Sequence, residues 1–371
     1  MINETSQDCS SCGRRSSSDT SRRVVADGGI PTRADLRPLT PRDAVDRFLS
    51  RRKADSTSET LRSYRDRCLR FVRWCEDQGL LNLNQLTGRH LDEYLSHRQD
   101  SCNRTTLNNE FGTLKKLFEF GVAVEGIEPH IPEKTDLLKP STSKEQDSNN
   151  EMLPATRAQE ILEHLDRYER ASRDHVIMAL LWYTGCRLGG LRALDLNDYE
   201  AEADALTWRH RPETGTPLKN KADSERDVSL DPGVSTIVDE YIRHKRIDTV
   251  DDHGRQPLIT TQRGRIAKNT IRTTSYRWTL PCVTTNECPH DKEIDDCGWT
   301  EHGHRSKCPS SRSPHRIRTG SITWMRECGM QPADVAERVD ATPETIRHHY
   351  EFSDPRKRME QRRNQLDKLQ L

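Results

Sequence analysis

Ser313-Pro314-His315-Arg316-Ile317-Arg318 is followed by His348-His349-Tyr350, whose tyrosine stands thirty-two residues after Arg318. His315 and Arg318 stand three residues apart, a spacing that puts both side chains on one face of a helix. There an imidazole can move a proton while a guanidinium grips the same phosphate oxygens through two parallel hydrogen bonds. The stretch reads as a phosphate-handling site that carries its own nucleophile, and the rest of the chain has to be consistent with that.

A chain of 371 residues is too long for one ordinary domain and suits two with tails. Only 32% of residues are hydrophobic and 5% aromatic, and mean hydropathy is -0.94. These values predict small, mostly helical cores under long charged faces. No run of about 18 apolar residues occurs and the first residues lack an apolar signal segment, which predicts a cytoplasmic protein with no membrane partner. The formal net charge is zero, which argues against a strong non-specific polyanion binder. The basic residues are nevertheless dominated by arginine, the side chain suited to forked recognition of phosphate. Residues 51–120 and the C-terminal stretch 355–371 carry more basic than acidic side chains, and such a dipolar distribution can present a basic face to DNA on a neutral protein.

Residues 1–37 are rich in Ser, Arg, Asp and Gly, and read as a disordered tail. Cys9-Ser10-Ser11-Cys12 lies there with no second ligand pair nearby. From Thr40, a cap followed by Pro41, the pattern becomes helical. Ala44, Val45, Phe48 and Leu49 mark a first helix, and a second runs over about 58–78 with Gly79 as its stop. Leu91, Tyr94 and Leu95 mark a third after Thr87, and Leu107, Phe111, Leu114, Leu117 and Phe118 a fourth over 104–123. Together they predict a helical module over 38–128. Residues 129–152, with several prolines and the polar run Ser141 to Asn150, read as an interdomain linker.

A second domain is expected over 153–365. Thr156 with Gln159 reads as a capping box for its first helix, and Val176-Ile177-Met178-Ala179-Leu180-Leu181-Trp182 reads as its buried centre. That helix runs into Thr184-Gly185-Cys186-Arg187, where apolar flanks place a charged side chain beside the core. Such a charge is costly unless an anion meets it, so Arg187 reads either as an anion ligand or as half of a buried salt bridge. A β-hairpin follows: Ala205 to Trp208, a turn-rich stretch carrying Lys219 and Lys221, and a return over Arg226 to Leu230. Lysines at a hairpin tip can be merely solvated. Further helices are expected after Pro232 and over about 268–279.

Residues 281–309 form a distinct insertion, with Cys282, Cys288, His290, Cys297, His302, His304 and Cys308 in a segment without apolar periodicity. Such a segment cannot bury enough surface to fold unaided, and structural Zn(II) on Cys282, Cys288, Cys297 and Cys308, with His290 as substitute for one of them, would supply the missing stabilisation. Ordinary buried or free cysteines are the alternative. No cofactor motif for the chemistry itself is present.

Arg187, a hairpin lysine, His315, Arg318 and Tyr350 thus form an ordered set: Thr-Gly-x-Arg, Lys, His-x-x-Arg, Tyr. This order and spacing resemble the tyrosine recombinase (phage integrase) family over about 40–365, and the Cys-Pro-His and Cys-Pro-Ser-Ser segments of the insertion look like an archaeal branch of it. The resemblance implies an α+β fold, mainly α with a small β-sheet, built from a helical core-binding domain and a tyrosine-recombinase catalytic domain. It implies a site-specific recombinase or integrase that cleaves and rejoins duplex DNA through a 3′-phosphotyrosyl intermediate. In that scheme Tyr350 attacks the scissile phosphate, Arg187 and Arg318 stabilise the transition state, and His315 serves in proton transfer. Lys219, with Lys221 in reserve, protonates the leaving 5′ oxygen. The implied partner is double-stranded DNA with inverted half-sites, bound by a homotetramer. One position departs from the family pattern: nine residues before Tyr350, where a His or Trp is common, stands Ala341. A DNA-binding member of the same fold that no longer cleaves, acting as an accessory or regulatory factor, and a monomeric relaxer of the type IB topoisomerase kind are the alternatives.

Overall fold

The structure, a computed structural model, describes residues 35–140, 152–351, Arg356 and Met359, with backbone only for 348–351. Cys9, Cys12, the polar run 141–151 and the tail 366–371 lie outside the described residues. The chain divides into two compact units between Ser148 and Asn149.

Five helices make the first unit: α1 (Pro41–Arg52), α2 (Ser58–Asp77), α3 (Gly88–Gln99), α4 (Arg104–Ala123) and α5 (Ile131–Leu138). Each of the first four starts where a polar side chain accepts a hydrogen bond from the first turn, at Thr40, Thr57, Thr87 and Asn103. Their inward stripes meet around Phe48, Phe71, Tyr94, Phe111 and Phe118, with Phe71 edge-on to Tyr94 and to Phe118. Cys68 and Cys75 are packed in this core, where burial pushes both thiols up to about 12. Glu110 is also fully buried, and Arg70, Arg98 and the Tyr94 hydroxyl all meet its carboxylate.

Two expectations are corrected here. The segment read as linker from residue 129 contains α5, with Ile131, Pro132 and Thr135 buried; its proline sits in the first turn, where the missing N–H has no intrahelical partner to lose. The segment read as tail over 1–37 ends earlier, because Leu36 is buried and the Arg37 N–H donates to the Glu125 carbonyl at 2.8 Å.

In the second unit α6 (Ala155–Tyr168) and α7 (Arg173–Thr184) lead into a short α8 (Leu188–Ala193). The expected Thr156 capping box is absent: Pro154 occupies the cap without a side-chain bond, and Gln159 bonds to Glu163 one turn on. A three-stranded antiparallel sheet follows, β1 (Tyr199–Glu200), β2 (Ala205–Trp208) and β3 (Arg226–Ser229), with Trp208 opposite Arg226. Next come α9 (Pro232–His244), the two-stranded β4 (Thr260–Thr261) and β5 (Gly264–Arg265), α10 (Lys268–Trp278) and α11 (Pro281–Thr284). The last three are α12 (Pro314–Glu327), α13 (Pro332–Val339) and α14 (Pro343–Glu351). As expected, α7 is buried on nearly all sides, and the architecture is mainly helical with a small sheet. No helix among the described residues is long and apolar enough to cross a membrane.

Two close approaches fix the frame of the site. Gly185 ends α7 at φ +59, and a Cβ there would press on Val339 and Ser321. Gly320 lets α12 lie on the chain at Leu153, whose carbonyl oxygen would sit 2.0 Å from an added Cβ.

His175, near the start of α7, is buried and its Nδ1 accepts a hydrogen bond from the Ala171 N–H at 3.3 Å. Desolvation, opposed by Asp166 and Glu240 and aided by Arg170, holds the ring at about 4. Since the folded value lies below the unfolded one near 6.5, the folded state binds fewer protons and loses stability as pH falls from about 6.5 towards 4. The expected slope is at most about 1.4 kcal/mol per pH unit. Denaturant unfolding across that window should show it in the native protein and a flatter dependence in His175→Gln.

Candidate active site

Arg318 is built into the second unit by its backbone. Ser313 caps α12, accepting from the Arg316 N–H, and one turn later the Arg318 side chain runs into the interior with only 4% of its surface exposed. Its Nη1 donates to the carbonyl of Gly185 at 2.6 Å and to the carbonyl of Val339. Burial, followed by the charge of Arg187, pulls the guanidinium down to about 10, so it remains a cation at neutral pH. Arg318 thus joins the left-handed end of α7 to the C-terminus of α13.

Arg187 follows directly after that turn as the cap of α8. It is neither a plain anion ligand nor a fully buried pair: its half-buried guanidinium pairs with Asp340, which ends α13 at φ +57. The same carboxylate accepts from Asn220 Nδ2 at 2.8 Å and from the Ser224 hydroxyl at 2.8 Å. Arg226 lies over the Trp208 ring and donates to the Arg338 carbonyl at 2.8 Å. Burial lowers the affinity of both Arg226 and Arg338 for their protons. Arg187 pairs with the Asp340 carboxylate and Arg226 and Arg318 lie within its field, with Arg338 close to Arg226, so cations outnumber the one carboxylate here.

His315 emerges from the first turn of α12 at the surface. Partial desolvation of the ring, then the charges of Arg318, Arg316 and Arg187, hold its pKa below the usual histidine value. Among the described residues its imidazole has no hydrogen-bond partner, so the neutral ring keeps a lone pair for a proton. Lys219 and Lys221 are exposed on either side of Asn220, and Lys221 adopts φ +58.

Tyr350 falls on the last turn of α14, and its side chain, with those of His348 and His349, lies outside the described residues. The helix itself is anchored by Ile346, which packs with Val335, Ala336, Val339, Ile322 and Met325. That small cluster joins α14 to α12, the helix of His315 and Arg318. Ala341 packs against the same cluster and offers no side-chain donor.

Sequence reasoning therefore reached Arg187, His315, Arg318 and the lysine loop, which the fold brings together. It missed Asp340, Arg226, Asn220 and Ser224. The departure at Ala341 was the available signal, because it drew attention to the segment in which Asp340 stands.

The insertion shares its base with this site. Arg157 on α6 donates to the carbonyls of Thr279 and Ser310, on its two sides, and the Arg312 N–H donates to the Thr279 hydroxyl at 2.7 Å. Cys282 titrates above the usual thiol range because it is partly buried and lies near Cys288, Cys308 and Cys297. His290 Nε2 is 2.9 Å from the Ser310 hydroxyl. The thiols thus share a neighbourhood, but among the described residues no three His, Cys, Asp or Glu side chains are assembled into a ligand set. A groove of about 1310 Å³ lined by α6, α7 and α9 contains none of the expected site residues.

Residues 45–124 match the phage integrase N-terminal SAM-like domain. The chain is 21% identical over 233 residues to the TnP I resolvase of Bacillus thuringiensis, covering 62% of this chain and 77% of that protein. It is 26% identical over 194 residues to the tyrosine recombinase XerC of Staphylococcus haemolyticus (strain JCSC1435), covering 50% of this chain and only 58% of that relative. Among solved structures, the Tn1549 transposon integrase in complex with transposon right end DNA superposes with a TM-score of 0.62 at 15% identity, over 89% of this chain and 99% of that one.

An NMR titration of the His315 imidazole should have a midpoint below that of a free histidine, and Arg187→Gln should move the midpoint upward, because removing a neighbouring cation favours the charged ring. A midpoint unmoved by Arg187→Gln would separate the two residues.

Proposed function

We propose, for a chain that belongs to the tyrosine recombinase (phage integrase) family, that it is a site-specific recombinase which cuts and rejoins duplex DNA through Tyr350. The observation that carries this reading is the gathering of Arg187, Arg226 and Arg318 near the carboxylate of Asp340. A surplus of fixed positive charge suits a phosphodiester whose charge increases in the transition state.

In this mechanism Arg187 and Arg318 bind the two nonbridging oxygens of the scissile phosphate. The Tyr350 hydroxyl oxygen attacks phosphorus, and the bond to the 5′ oxygen breaks. His315, kept neutral by its surroundings, accepts the tyrosine proton; Lys219, or Lys221, gives a proton to the departing 5′ oxygen. A 3′-phosphotyrosine and a free 5′-hydroxyl result, and the reverse attack by another 5′-hydroxyl rejoins the strand. The phosphodiester energy is stored in the covalent bond, so no nucleotide cofactor is required. Double-stranded DNA with inverted half-sites is the substrate, engaged by four copies of the chain.

A second reading, a DNA-binding member that no longer cleaves, is favoured by one observation. Ala341, where the family commonly has His or Trp, cannot donate a hydrogen bond to phosphate.

For the insertion we propose structural Zn(II) on Cys282, Cys288, Cys297 and Cys308, with His290 able to replace one thiolate. Support comes from the density of these residues in a segment whose described part has few buried apolar side chains. A metal there would brace the start of α12 and take no part in the chemistry.

Two measurements test these readings. A suicide duplex carrying the authentic site should trap a covalent protein–DNA adduct, and Tyr350→Phe should abolish it while still binding the duplex. No adduct on a genuine site would leave the non-cleaving reading standing. Purified protein should contain about one zinc per chain, and Cys297→Ser should lower both zinc content and stability. Metal-free protein with an equally stable variant would remove the zinc proposal.

A further inference from the structure

Among the described residues Asp340 is the acidic side chain that pairs with Arg187 in the arginine cluster, and it reaches two elements at once. It pairs with Arg187 from α8, and it accepts from Asn220 and Ser224 in the turn between β2 and β3. Asn220 lies between Lys219 and Lys221, and Lys221-Ala222-Asp223-Ser224 is a single 3-10 turn. The Asn220 N–H also donates to the Ser224 hydroxyl at 3.0 Å, which closes the loop on itself. Asp340 adopts a left-handed backbone at φ +57, a conformation that a β-carbon disfavours. A residue kept in such a conformation by three side-chain partners has a structural task beyond ending a helix.

We propose that Asp340 is a positioning residue that ties the lysine-bearing loop to Arg187, so that the general-acid lysine reaches the leaving oxygen only when the phosphate clamp is in place. This inference rests on the recombinase reading above. One carboxylate oxygen is shared by Arg187 and Ser224, and the other holds Asn220. Movement of the loop and movement of the guanidinium are therefore coupled through a rigid carboxylate at the end of α13. The step it serves is the one in which the bond from phosphorus to the 5′ oxygen breaks and that oxygen takes a proton from the lysine ammonium. Neither lysine is held by a side-chain partner among the described residues, and the loop meets the arginine cluster at Asn220 and Ser224, through Asp340 and through the Arg226 bond to the Ser224 carbonyl.

The test uses two suicide duplexes that differ in one atom, the scissile 5′-bridging position being oxygen in one and sulfur in the other. A thiolate leaves without a proton donor, because thiols have pKa values near 8.5, whereas an alkoxide needs one. The full-length Asn220→Ala/Ser224→Ala double variant removes the loop's two bonds to Asp340 and leaves the Arg187 pair intact. It should form adduct about 10- to 100-fold more slowly than the native protein on oxygen DNA, and within about threefold of it on sulfur DNA. Asp340→Ala should be slow on both, since it also releases Arg187, and Asp340→Asn, which keeps an acceptor oxygen, should recover part of the loss.

A double variant that cleaves oxygen DNA at the native rate, or that is equally slow on both duplexes, would overturn the proposal while leaving the recombinase reading intact. If the native protein forms no adduct on either duplex, the recombinase reading fails and this inference falls with it.

Discussion

The second unit depends on one buried guanidinium. Arg318 donates to the carbonyls of Gly185 and Val339, two helix ends that have lost their intrahelical partners and would otherwise be left unsatisfied away from water. The arrangement requires glycine at position 185, because the turn is left-handed and a side chain would collide with Val339. It also requires α12 to lie against the chain at Leu153, which Gly320 permits. With the cation seated there, Arg187 leaves the same turn at a set distance, and α13 ends where Asp340 can meet it. The small apolar cluster around Ile346 then fastens α14, and with it the backbone of Tyr350, to the helix that carries Arg318.

Charge is distributed around this frame in a way that stability alone does not favour. Burying Arg318, and partly burying Arg226, costs free energy that the Asp340 carboxylate does not fully offset, in line with the lowered proton affinity of both guanidiniums. Strain and uncompensated charge of this kind concentrate at functional sites. A phosphodiester is the anion whose geometry fits two forked guanidiniums, and its charge grows as a fifth oxygen approaches phosphorus. His315 stands beside this cluster, where partial burial first and the arginine charges second lower its affinity for a proton.

Much of this was legible in the sequence because it depends on local spacing. The cap at Thr40, the helical stripes of the first unit and the apolar run of α7 are all short-range patterns, as is the His-x-x-Arg pair. What stayed hidden depends on contacts between distant residues. Asp340 meets Asn220 and Ser224 across more than a hundred residues, and nothing in the local sequence marks a helix-ending aspartate as the centre of a network. Glu110 is similar: a charge in the middle of an apolar stripe is readable only once Arg70, Arg98 and Tyr94 are seen to meet it. Helix α5 is hidden for a different reason: its proline reads as a helix breaker unless its place in the first turn is known. The cysteine insertion lies between these cases, with a composition that points to a metal and thiols that share a neighbourhood without forming a ligand set.

The central claim is that Arg187 acts on the transition state and does more than attract DNA. Arg187→Lys keeps the charge and removes the fork, so the measurement is duplex affinity alongside single-turnover adduct formation on the authentic site. The account predicts affinity within about threefold of the native protein and cleavage reduced by about 10²- to 10³-fold. An affinity that falls as far as the rate, or a rate that does not fall, would contradict it.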